Sequence, residues 1–243
     1  MKIHQILITD NNTIPEKLPD YGDYCQKETL SFYEGQDYKL WSGNEIENFL
    51  SAQFSQIVVD TYHKLKPYSY KADLARYCLL YVYGGLYFDL NTRFINPFVI
   101  DQYDPASLFV FRDYHLVNKK SWSASTTIMY AKPNSPVLET AIDILVTNVK
   151  NNNYGHAPHM VTGPGVLGQA IMQNDPMLTN TNGELICLLP MHEMKWFGFV
   201  QDNGNIVAFR KPVMAGDLTS LGYEYVNNYF EMWNNLDIYN DNN

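Results

Sequence analysis

The chain has 243 residues, of which 46% are hydrophobic and 14% aromatic, and 26 acidic side chains against 17 lysines and arginines give a formal net charge of −9. That much apolar surface specifies a folded core and excludes a disordered chain. The acidic balance excludes a general electrostatic footprint on nucleic acid or anionic lipid. No apolar run approaches the roughly 20 residues of a membrane span, and the opening "MKIHQILITDNN" lacks the long apolar stretch and small-residue cleavage site of a signal peptide. The three cysteines, Cys25, Cys78 and Cys187, are odd in number and far apart, so neither a disulfide framework nor a cysteine zinc site is expected. Together these features predict a cytoplasmic chain with no membrane span and no nucleic-acid partner.

In chain order, "KIHQILI" runs into the turn cluster Thr9-Asp10-Asn11-Asn12 and reads as a first buried strand. "YKLW" (38 to 41) is the next strand, and Ser42 with Glu45 three residues on forms a capping box for a helix over "GNEIENFLSAQ". A helix over 71 to 83 precedes a strand "GLYFDLN". Further strands follow at "SLFVFRD" (107 to 113) and "STTIMYAK" (125 to 132), then a strongly periodic helix from 135 to 151. "GVLGQAIMQ" reads as a helix start and "GELICLLP" as a strand; residues 191 to 243 are mixed and aromatic, with a polar tail from about 238. The alternation of strands and helices, with no repeat or linker, predicts one α/β domain over residues 1 to 243 with a mostly parallel sheet flanked by helices.

The stretch "KADLARYCLLYVYGGLYFDLN" (71 to 91) places charge inside an apolar run. Asp73 and Arg76 lie three apart on one helical face, while Leu74, Cys78, Leu80 and Tyr81 supply apolar contacts. Gly84-Gly85 stops the helix by accepting left-handed backbone angles. The strand that follows delivers Asp89 and Asn91 at its carboxyl end, where open α/β sheets bind ligands. As a bare pattern, an exposed ion pair and a polar turn would serve equally well.

This stretch resembles the signature of glycosyltransferase family 32 and its relatives, sugar-transferring enzymes with a DXD motif that include outer-chain mannosyltransferases, α-1,4-galactosyltransferases and glucosylating bacterial toxins. "IHQI" resembles the family's opening strand, "YKLW" its second strand and "TGPGVLGQAI" its T-G-P segment; the likeness covers residues 3 to about 172 and is weak beyond. The resemblance implies a GT-A fold (Rossmann-like), a UDP-sugar or GDP-sugar donor, a glycan acceptor, a divalent metal (commonly manganese, or magnesium) and retention of anomeric configuration. By position, it assigns Asp73 and Arg76 to the donor sugar's hydroxyls, with Arg76 near the diphosphate, and Asp89 to the first DXD acid. Gly163 of the T-G-P segment is expected to bring backbone close to the crevice.

Two departures stand out. Asn91 occupies the place of the second acid, usually the metal ligand, so metal would be held by Asp89 and Asn91 with less charge. Leu7 replaces a tryptophan that in some relatives packs on the nucleotide base. A further metal or phosphate ligand from "YVNNYFEMW" is expected at Asn227 or Asn228, with His192 an outside candidate. The departures also permit a second reading, a nucleotide-sugar- or glycan-binding relic of the same fold without turnover.

Other signals are weaker. "GPGVLG" (163 to 168), with Glu184 beyond, fits a dinucleotide fingerprint formally and would imply an NAD(P)-dependent oxidoreductase, but no convincing strand precedes it. His156 and His159 are three apart around Pro158 with no evident third ligand. Neither a nucleophile elbow nor a G-K-[ST] phosphate loop occurs.

Overall fold

The computed structural model describes residues 1–97, 108–113, 122–175, 177, 181–188, 196–210 and 218–240. β1 (Lys2–Leu7) is buried from Ile3 to Leu7 and lies between β2 (Asp37–Ser42) and β3 (Gly85–Phe88), parallel to both. Between β1 and β2 runs α1 (Asp20–Ser31); α2 (Gly43–Gln53), α3 (Gln56–Lys64) and α4 (Tyr68–Tyr83) carry the chain from β2 to β3. The capping box is formed as the sequence predicts: the Glu45 N–H donates to Ser42 Oγ (3.3 Å) and the Ser42 N–H donates to Glu45 Oε2 (2.9 Å).

After β3 come β4 (Thr92–Phe94), β5 (Leu108–Arg112), β6 (Ala124–Ala131), α5 (Pro136–Lys150), α6 (Pro164–Asn174), β7 (Thr181–Leu188), β8 (Trp196–Gln201), β9 (Ile206–Arg210) and the short α7 (Tyr229–Asn234). The sheet has nine strands among the described residues, in the order β2-β1-β3-β6-β5-β7-β8-β9-β4. The expectation of a mostly parallel sheet needs correction, because only β1–β2, β1–β3 and β5–β7 are parallel and the other five pairings are antiparallel. Parallel neighbours need a long crossover, and helices supply one before β2, before β3 and, as α5 and α6, before β7. β8 and β9 are joined by the short turn 202–205, which forces an antiparallel pair.

The sheet is curled. β4 is last in the strand order, six places from β3, yet only residues 89–91 separate the two strands along the chain. The far edge of the sheet must therefore return to the carboxyl end of β3.

The main core lies between the sheet and α2 to α6, where Leu74, Leu79, Leu80, Leu138, Leu145 and Leu167 are fully buried. α4 is buried on nearly all sides, which is why its apolar residues show little amphipathic period. Gly84 (φ +62°) and Gly85 (φ +98°) make the α4–β3 turn; a Cβ at Gly85 would sit 2.2 Å from the Lys2 carbonyl oxygen, so no other residue fits there. Buried His4 secures this turn, accepting from Trp41 Nε1 at Nδ1 (3.2 Å) and donating from Nε2 to the Gly84 carbonyl (3.0 Å).

The strand expected over "GLYFDLN" ends at Phe88, and Asp89 to Asn91 form a turn into β4. Ile238 and Tyr239, expected to begin a polar tail, are instead buried: Tyr239 bridges Leu65, and the Ile238 carbonyl accepts from the Lys66 N–H (3.0 Å). No helix among the described residues is long and apolar enough to cross a membrane.

Candidate active site

Asp73 and Arg76 project from α4 toward the carboxyl end of β3, and both are buried. Arg76 is the hub. Its Nη1 donates to Asp89 Oδ1 (3.0 Å) and to the Thr126 carbonyl on β6 (2.6 Å), its Nε donates to the Ala72 carbonyl (3.1 Å), and its Nη2 lies 3.4 Å from Asp73 Oδ1. Its guanidinium carbon also stands 4.5 Å from the centre of the Tyr87 ring. An exposed ion pair is thus ruled out as the description of Asp73 and Arg76. Burial opposes the Arg76 charge, but Tyr87, Asp89 and Asp73 around it hold the group firmly protonated.

Asp73 accepts from Thr162 Oγ1 at Oδ2 (2.7 Å). Burial raises its affinity for a proton above that of an ordinary carboxyl, against the opposing pull of Arg76 and Thr162. Gly163 is next along, and a Cβ there would sit 3.0 Å from Asp73 Oδ2, so glycine permits the close approach. Asp89 accepts at Oδ1 from Tyr87 OH (2.8 Å), and its backbone N–H donates to the Thr127 carbonyl (3.0 Å). Asn91 is buried on the same turn.

Sequence reasoning overlooked several participants. Thr162 stood inside the T-G-P stretch, but only its glycine drew attention. Tyr87 lies inside the apolar strand β3, where nothing in the pattern distinguishes it from its core neighbours. Arg210, at the end of β9, donates from Nη1 to Thr127 Oγ1 (2.9 Å) and carries no sequence signal at all. Tyr229, the first residue of α7, lies in the electrostatic field of Arg210, Asp73, Asp113 and Asp89; burial is the main cause of its raised phenol pKa.

The C-terminal candidates are placed differently. Asn227 Oδ1 accepts from the Tyr68 N–H (2.9 Å) and its Nδ2 donates to the Lys66 carbonyl (3.1 Å), so it fastens the start of α4. Asn228 Oδ1 caps α7, accepting from the N–H groups of Phe230 and Glu231. His192 lies outside the described residues. The "GPGVLG" segment enters α6 from a 3₁₀ turn at Pro158–Met160, not from a strand, which removes the context a dinucleotide fingerprint requires.

As metal ligands, the described residues offer Asp89, one of whose oxygens already serves Arg76 and Tyr87, and the Asn91 amide. No cluster of three or more His, Cys, Asp or Glu side chains converges among the described residues. Such a donor set fits a hard cation that arrives with phosphate and water oxygens, not one caged by the protein alone.

Beside the site, a cavity of about 650 Å³ opens at the carboxyl end of β1, lined among others by Leu7, Asn11, Tyr21, Tyr223 and Tyr225. It shares a wall with the site: Leu7 packs in one cluster with Leu90, the residue after Asp89, and with Leu221 and Tyr223.

The scaffold is an α/β fold with a curled mixed sheet, and part of the chain is similar to sugar-transferring enzymes. Residues 19–109 match the family described as "Glycosyltransferase sugar-binding region containing DXD motif". Among curated proteins, "Uncharacterized glycosyltransferase L373" of Acanthamoeba polyphaga mimivirus is 37% identical over 89 residues, 37% of this chain and 34% of the relative. "Inositol phosphoceramide mannosyltransferase 3" of Schizosaccharomyces pombe is 33% identical over 99 residues, 39% of this chain and 26% of the relative. The matched stretch thus spans about a third or less of those relatives' length. The solved structure of "PaToxG Glycosyltransferase" superposes with a TM-score of 0.52 at 19% identity, covering 72% of this chain and 68% of that one, which establishes the likeness of fold.

Proposed function

We propose that the protein transfers a hexose-type sugar from a UDP- or GDP-sugar to a glycan acceptor, with retention at the anomeric carbon, and that the described elements work as one domain. The observation that carries this reading is the convergence of the buried Asp73 and Arg76 with the partly buried Asp89 in one charged group at the carboxyl end of β3. The arrangement is pre-formed, so little reorganisation is needed when charge develops.

In this reading the carboxylate of Asp73 and the guanidinium of Arg76 receive the sugar hydroxyls, held in place by Thr162 and Thr126. The bond from the anomeric carbon to the phosphate oxygen breaks, the diphosphate departs with the electron pair, and an acceptor hydroxyl oxygen bonds the same carbon as its proton passes to the departing diphosphate. Arg76 lies where it can offset charge gathering on the diphosphate. The cavity at the end of β1 suits the nucleoside, its tyrosines giving the aromatic surface that Leu7 does not. A manganese or magnesium ion, if bound, would be held by Asp89 and Asn91 together with the donor's phosphates and would help neutralise the leaving group. Cys25 and Cys78 are both buried thiols, in keeping with a reducing cytoplasmic setting.

Incubation with a panel of UDP- and GDP-sugars and manganese tests the reading: sugar release or transfer from one donor is expected, and no turnover across the panel contradicts it. A binding-only protein of the same fold is the second reading, favoured by Asn91. Tight donor binding indifferent to manganese, with no sugar release, would select it.

A further inference from the structure

We infer that Arg210 is a diphosphate-binding residue, a cation supplied by the protein that lets the donor diphosphate bind without a divalent metal. The inference rests on the transferase reading above. It starts from the curl of the sheet. Because β4 returns to the end of β3, Arg210, the cross-strand neighbour of Thr92, reaches β6 and bonds Thr127, the same residue whose carbonyl holds the Asp89 N–H. Two arginines therefore contact adjacent residues of β6, Arg76 at Thr126 and Arg210 at Thr127.

Their charge states differ in kind. Arg76 sits between Asp73 and Asp89, at 3.4 and 3.0 Å, so its charge is locally balanced. Arg210 forms no ion pair among the described residues, and its Nη1 alone makes a hydrogen bond; Nε is buried without an acceptor. Thr92 Oγ1, which leaves the sheet on the same face, is also buried and unbonded. Leaving such donors unsatisfied is costly, and a guanidinium matches phosphate oxygens through two parallel N–H bonds. Bonding Thr127 would pin the curled edge by itself, but it does not account for the spare donors.

Where the family resemblance implies a second acid, the turn 89–91 carries the neutral Asn91. With one acid fewer to draw a cation, and at hand an arginine that forms no ion pair among the described residues, the balance beside the diphosphate moves from metal to protein.

Titration calorimetry on the full chain tests this with UDP, UMP and uridine, and with GDP, GMP and guanosine, each in EDTA and in manganese. The wild type is expected to bind one diphosphate in EDTA at least about tenfold more tightly than the matching monophosphate. Arg210→Gln should erase that margin while leaving nucleoside and monophosphate affinity unchanged, and Arg210→Lys should restore part of it. Diphosphate binding by the wild type only with manganese, an unchanged margin in Arg210→Gln, or parallel loss of nucleoside and diphosphate affinity would each overturn the role. If Arg210→Gln does not fold, the wild-type comparison in EDTA and Arg210→Lys still decide. Failure of the wild type to bind any nucleotide in either condition would instead remove the transferase reading on which the inference stands.

Discussion

Arg76 Nη1 donates to Asp89 Oδ1 at 3.0 Å, joining the middle of α4 to the end of β3 across the Gly84-Gly85 turn. This contact turns a helix residue and a strand-end residue into one anionic and cationic unit. Asp89→Ala should therefore act on chemistry more than on folding. Donor turnover is expected to fall by at least about a hundredfold, comparable to the loss of one pre-organised electrostatic partner. Thermal melting followed beside a donor-hydrolysis assay checks that the loss is not unfolding.

Gly163→Ala should act in the same direction by a steric route. The added methyl carbon would sit 3.0 Å from Asp73 Oδ2, so the carboxylate must shift and loosen its bond to Thr162. Weaker nucleotide-sugar binding is expected with melting temperature nearly unchanged; calorimetric titration reads the first and a melt the second.

Asn91→Asp restores a second carboxylate to the 89–91 turn. Since cation affinity rises with the number of charged ligands, manganese binding in the presence of a nucleoside diphosphate should tighten by roughly tenfold or more. An unchanged titration would show that position 91 does not face the metal.

His4 makes stability depend on pH. Burial, chiefly, lowers its pKa from 6.5 to about 4, with Lys2 and Lys39 adding to the effect and the bond to the Gly84 carbonyl opposing it. Between those values the unfolded chain takes up a proton that the folded chain refuses. The stabilisation is complete above about pH 6.5, declines as pH falls, and is spent near pH 4, for a total of about 3 kcal/mol. Denaturant melts from pH 4 to 7 should show this slope, and His4→Gln should flatten it.

What was legible in the sequence was local. The capping box of Ser42 and Glu45, the apolar α4 stopped by Gly84, and Asp89 at a strand end each depend on neighbours within a few residues. α1 escaped notice because "DYGDYCQKETLS" is polar, half exposed and lacks a side-chain cap. Strand direction was misjudged because it depends on connection length in three dimensions, not on the apolar pattern of each strand. Asn227 drew attention as a metal ligand, whereas its amide closes a contact 159 residues away at the start of α4. Arg210 was invisible for the same reason: its position beside Thr127 exists only once the sheet has curled.

The central claim, that Asp73, Arg76 and Asp89 form the donor site, is tested most directly by a crystal of the protein grown with a non-hydrolysable UDP- or GDP-sugar and manganese. The account predicts the sugar against Asp73 and Arg76, the diphosphate beside Asp89, and the base in the cavity at the end of β1. A nucleotide sugar bound elsewhere, with this charged group left uncontacted, would contradict it.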